Sequence, residues 1–83
     1  MNFWNFKRGD YSPQLTKEKA EIIKDLIGKK LEVSFIKRTT KEMGHLCWST
    51  ERELEKIENG KMTLNPPWPE PISIEKIYRI RVL

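Results

Sequence analysis

The stretch Leu54-Glu55-Lys56-Ile57-Glu58-Asn59-Gly60-Lys61-Met62-Thr63-Leu64 decides the fold class, because Asn-Gly between two short runs of alternating character is a strong local hairpin signal. Leu54 and Ile57 are three apart, which breaks strict strand alternation and predicts a bulge between them, whereas Met62 and Leu64 alternate properly. A capped helix is the competing reading, since Thr50-Glu51-Arg52-Glu53 matches a capping box and Gly60 suits a helix C-terminus. Such a helix would bury only Leu54 and Ile57, too little to offset the ordering of about nine residues. The hairpin is therefore preferred, with the helix as the alternative.

Working outward toward the N-terminus, Leu31-Glu32-Val33-Ser34-Phe35-Ile36 alternates as a half-buried strand with Leu31, Val33 and Phe35 inward. Lys37 to Lys41 reads as a polar loop whose Lys37, Arg38 and Lys41 could meet an anion. His45 to Ser49 reads as a second strand, with Leu46 and Trp48 on one face and His45, Cys47 and Ser49 on the other. Upstream, Leu15, Ala20, Ile22, Ile23, Leu26 and Ile27 recur at helical spacing. A helix over 14–28 follows, opened by Ser12-Pro13 or Thr16 and closed by Gly28, with Lys29 and Lys30 suiting its C-terminal end. Residues 1–13 form an aromatic arm without a period, and Trp4, Phe6, Lys7 and Arg8 are its candidate contacts. Two readings apply to those rings: they cover an open face of a small core, or they anchor a partner.

Toward the C-terminus, four prolines within residues 65–71 forbid helix and central strand, which predicts a stiff crossover with Trp68 tucked onto the barrel. Polyproline docking into an aromatic groove is the other reading of that loop. Ile72 to Lys76 makes a turn into a last strand, where Tyr78, Ile80 and Val82 share one face and Arg79 and Arg81 share the other with Ile77.

Eighty-three residues make one domain, 1–83, with a small core. The single cysteine excludes an intramolecular disulfide and fits a reducing compartment. Neither a leader peptide nor a span-length apolar run is visible, so a cytoplasmic location without membrane contact is expected. The net charge of +4 is uneven: residues 1–41 carry ten basic against five acidic side chains, and residues 42–83 carry six against seven. A basic half favours phosphate backbones or acidic proteins. His45 and Cys47 are the one pair to weigh as a nucleophile and its base, and they fail for want of an orienting third group. No enzyme activity, cofactor or metal site is expected.

The resulting order is helix, two strands, Asn-Gly hairpin, proline-rich crossover, turn and last strand. It implies an α+β chain in which an N-terminal helix precedes a small, strongly bent antiparallel sheet or an SH3-like or Sm-like β-barrel of about five strands, over 29–83. Through Leu54-x-x-Ile57, Met62-x-Leu64 and Ile72-x-Ile74-x-x-Ile77-x-x-Ile80, residues 31–83 also resemble the YolD-like family of small bacterial and phage proteins. That resemblance implies a non-enzymatic accessory protein encoded by a phage or other mobile element. The expected function is a binding, adaptor or inhibitor protein acting on a protein partner. A nucleic-acid-binding barrel and an oligomer holding a small anionic ligand such as a nucleotide are the alternatives. The candidate contacts are Trp4, Phe6, Lys7, Arg8, Lys37, Arg38, Lys41, Trp68, Arg79 and Arg81, with a homo-oligomer possible.

Overall fold

A computed structural model describes residues 2–83. The Asn-Gly hairpin is formed: Asn59 and Gly60 take φ of 53° and 71°, the left-handed pair that a two-residue turn needs. It joins β3 (Gly44–Glu58) to β4 (Lys61–Asn65), with Leu54 opposite Leu64 and Ile57 opposite Met62. The register shifts between Leu54 and Lys56, so Glu55 is the extra residue that carries both Leu54 and Ile57 toward the core. The expected strand over His45 to Ser49 and the first arm of the hairpin are one continuous strand of 15 residues.

Two further strands overturn the expected architecture of a helix followed by a barrel of about five strands. Phe3–Asn5 is a strand, β1, placed before the helix, and Ile72–Ser73 is another, β5. With β2 (Lys30–Thr40) and β6 (Ile77–Val82) the sheet has six strands in the order β1-β6-β2-β3-β4-β5, all neighbours antiparallel. It is open, because β1 and β5 are its two edges and do not pair with each other. β1 escapes a reading by period because three residues hold only one inward side chain, Trp4, opposite Ile80. Pairing across the chain is what orders it: Val82 N–H donates to Asn2 O and Phe6 N–H to Tyr78 O, both at 2.7 Å.

Helix α1 (Pro13–Lys24) is shorter than the expected 14–28. Ser12 caps it, its hydroxyl accepting from Leu15 N–H, and Pro13 takes the first turn. Residues 25–29 leave the helix for tight turns because their backbone is claimed by β3: Gly28 N–H donates to Leu54 O at 2.8 Å, and Leu54 N–H donates to Lys29 O at 2.9 Å. α1 packs on a 3-10 turn at Ile74–Lys76. The core gathers Ile23, Leu26, Leu31, Val33, Phe35, Leu54, Met62, Leu64, Ile72, Ile74, Ile77 and Ile80. At 25 cal/mol per Å² or so, burial of such side chains is the main stabilising contribution in a domain this size.

The last strand departs from its expected faces. Ser34 pairs with Arg79 and Phe35 with Ile77, which leaves Tyr78 as the bulged residue. Ile77 therefore turns inward with Ile80, and Tyr78 stands apart from them, half-buried.

Candidate interaction surface

The expected cationic loop at 37–41 is mostly strand. β2 runs to Thr40, Lys37 is its bulged residue, Arg38 pairs opposite Leu46, and only Lys41 of the three basic side chains lies in the turn. Lys37 points instead to the proline-rich crossover, where its ammonium meets Glu70 Oε1 at 2.8 Å. That hydrogen bond, reinforced by the charge behind it, holds the Glu70 carboxyl below its ordinary value.

The crossover is fixed at its other end by Arg52. Its Nη1 donates to the carbonyls of Pro66 and Pro67, at 2.8 and 3.1 Å, and its Nε donates to Thr50 Oγ1 at 2.8 Å. Prolines have no N–H to give, so their carbonyls are natural acceptors for such a clamp. Its guanidinium carbon stands 5.1 Å from the Trp68 ring centre. Trp68 in turn meets Phe35 edge to face at 5.7 Å and Trp48 at 5.6 Å, the orientation favoured by the quadrupoles of the rings. Lys37 Nζ lies 5.6 Å from the Trp48 ring. Trp48 is 50% exposed, and the two cations and two indoles form one amphipathic patch where the crossover meets β2 and β3. Beside it is a cavity of ≈ 270 Å³ lined by Lys37, Lys61, Trp68, Glu70, Glu75 and Lys76.

The other expected contacts do not converge on this patch. Trp4 and Phe6 are partly buried and pack against the core. Arg8 lies over the Tyr78 ring at 4.7 Å with its Nη1 3.8 Å from Cys47 Sγ. Burial, then the hydrogen bond with Cys47, raises the Tyr78 hydroxyl above its ordinary value. Lys7 is exposed in the turn before α1. Arg79 and Arg81 sit on the outer face; Arg79 is opposite Ser34 and Asn5, and Arg81 pairs with Glu32, its Nη2 donating to Oε2 at 3.3 Å. His45 bonds Thr39 Oγ1 through Nδ1 at 2.9 Å, while Cys47 approaches the His45 carbonyl and not its ring. Among the described residues no group of His, Cys, Asp or Glu is arranged to hold a metal ion, and no helix is long and apolar enough to cross a membrane.

Lys19 is the buried charge that sequence reasoning passed over. It is 1% exposed, donates to Glu75 O at 3.0 Å, and lies 5.4 Å from the Phe6 ring centre. Burial holds its ammonium below its ordinary value, with Asp10 and Glu75 pulling the other way. It ties together the arm, α1 and the 3-10 turn. The clue was its helical phase, because Lys19 is four residues before Ile23 and four after Leu15.

These features define a class: a small, open antiparallel sheet with one covering helix and an aromatic-cationic patch. No family model, curated protein or solved structure matches the chain.

Proposed function

We propose that the chain is a non-enzymatic protein-binding module, an adaptor or inhibitor, that holds its partner on the Trp48-Trp68 patch. The observation that carries this reading is the half-exposed Trp48, flanked by Lys37 and braced edge-on by Trp68, whose own ring lies under Arg52. Trp and Arg supply most binding hot spots, and a ring already fixed by its neighbours loses little freedom on contact. Phosphate recognition is less well supported: Lys37, Arg38, Lys41, Arg79 and Arg81 are spread over several surfaces, and Lys37 and Arg81 already face carboxylates. The resemblance to YolD-like proteins agrees with an accessory binding role, but the apolar positions that carry it are core positions and not this patch.

A photo-crosslinking residue placed at position 46, two residues along β3 from an intact Trp48, with position 17 on α1 as the control, tests the proposal in cells. Discrete protein adducts at 46 and none at 17 are expected, and they should weaken when Trp48 is changed to Ala. Adducts dominated by nucleic acid, or no adduct at 46, would overturn it.

A further inference from the structure

The cavity beside the Trp68 ring has a buried apolar floor and a charged rim. Phe35, Ile36 and Ile72 form the floor, and Ile36, 2% exposed, is buried there outside the main core cluster. Lys37, Lys61 and Lys76 stand around it with Glu70 and Glu75, which leaves an excess of one positive charge among the lining groups. Lys37 is the bulged residue of β2, Lys61 opens β4, and Lys76 ends the 3-10 turn. Ser73 of β5 lies opposite Lys61, and Ile74 N–H donates to Gly60 O at 2.9 Å, so the turn that carries Lys76 is docked beside the start of β4. Among the described residues Lys61 and Lys76 form no ion pair, whereas Lys37 holds Glu70. Glu70 shows which chemistry suits these ammoniums. Its carboxyl is held below its ordinary value first by Lys37 and then by Lys76 and Lys61, so all three act on one carboxylate at the mouth.

We propose that this cavity binds a small monocarboxylic acid, its carboxylate between Lys61 and Lys76 and its apolar body on Phe35, Ile36 and Ile72. Volume and charge select this class. An apolar cavity of about 150 Å³ suffices for a benzene ring, and drug-sized ligands take about 300 Å³ or more. At ≈ 270 Å³ there is room for one ring or a short aliphatic chain with its acid group, and not for a nucleotide. One carboxylate balances the excess of one charge, whereas a phosphate dianion overshoots it and meets repulsion from Glu70 and Glu75. The site goes beyond the protein-binding reading and does not rest on it, since Trp48 is not part of the cavity wall.

Titration of the isotope-labelled chain with hydrocinnamate, followed by amide NMR shifts at low salt where exposed charges are least screened, is the test. Hydrocinnamyl alcohol serves as the neutral probe and phenyl phosphate as the dianion. Saturable shifts at Lys61, Ser73 and Lys76 and at the Trp68 indole are expected with hydrocinnamate, and much smaller ones with the other two probes. Changing Lys61 and Lys76 together to Gln should raise the dissociation constant by about fivefold, as the loss of two exposed ion pairs implies. Glu70→Gln should lower it, because that change removes the carboxylate that competes for the same ammoniums. None of the three replaced side chains belongs to a buried residue, so the variants keep their fold, which circular dichroism verifies. Hydrocinnamate that shifts no cavity residue overturns the proposal. So do equal responses to the acid and the alcohol, tighter binding of phenyl phosphate, or an affinity that neither the lysine changes nor Glu70→Gln moves.

Discussion

At Gly60, φ of 71° carries the whole requirement for glycine, since a Cβ there would meet nothing within 4 Å. Gly60→Val should therefore lose about 1 to 2 kcal/mol through backbone strain alone. An unchanged melting temperature would remove the turn as a determinant of the fold. Gly9 is constrained twice over: its φ is 79°, and a Cβ would sit 2.9 Å from His45 Nε2. Lys19 offers a test by pH. Its ammonium is held below the ordinary 10.5 by burial, so the folded chain releases that proton at a lower pH than the unfolded chain does. Between the two values the unfolded chain binds more protons, and stability rises with pH; the contribution is complete above 10.5 and lost as pH falls through the folded value. Measured against Lys19→Met, the parent should gain stability as pH climbs toward 10.5. A constant difference between the two chains from neutral pH upward would refute this account.

Among the elements, β1 shows where local pattern fails. Phe3, Trp4 and Asn5 become a strand only because β6 supplies partners about 75 residues away, a fact that no window of the sequence contains. The hairpin was legible because turn chemistry and alternation are local, and so was the bulge, through the odd spacing of Leu54 and Ile57. The helix was legible in its apolar face and not in its end, since Leu54 competes for the backbone of Gly28 and Lys29. Of the patch, Trp68 was found through its prolines. Trp48 was assigned to a strand face without its exposure, and Arg52, hidden in a run of glutamates, gave no local sign of its clamp. Removing residues 1–11 should destabilise the fold, because it uncovers the core beneath Trp4 and Phe6 and takes away the neighbour of β6. About 3 to 5 kcal/mol is expected, comparable to truncating one buried aromatic side chain. Equal urea midpoints for the two chains would show that the arm is idle.

For the whole molecule, the excess of positive charge has no single address. Arg38 and Lys41 are exposed near the β2-β3 turn, Arg79 and Arg81 lie on the outer face, and Lys37 is held by Glu70. Replacing Lys37, Arg38 and Lys41 together by Ala should leave any weak binding to DNA or RNA with nearly the same salt dependence. A clearly flatter slope would identify the turn as a phosphate contact and revive the nucleic-acid reading. The position of β6 carries a different consequence. The last element in the chain lies inside the sheet, between β1 at the opposite end of the chain and β2. While a ribosome still encloses β6, β1 has no neighbour and Val33 lacks Ile80 across from it, so the nascent chain holds its core apart until translation has passed that strand.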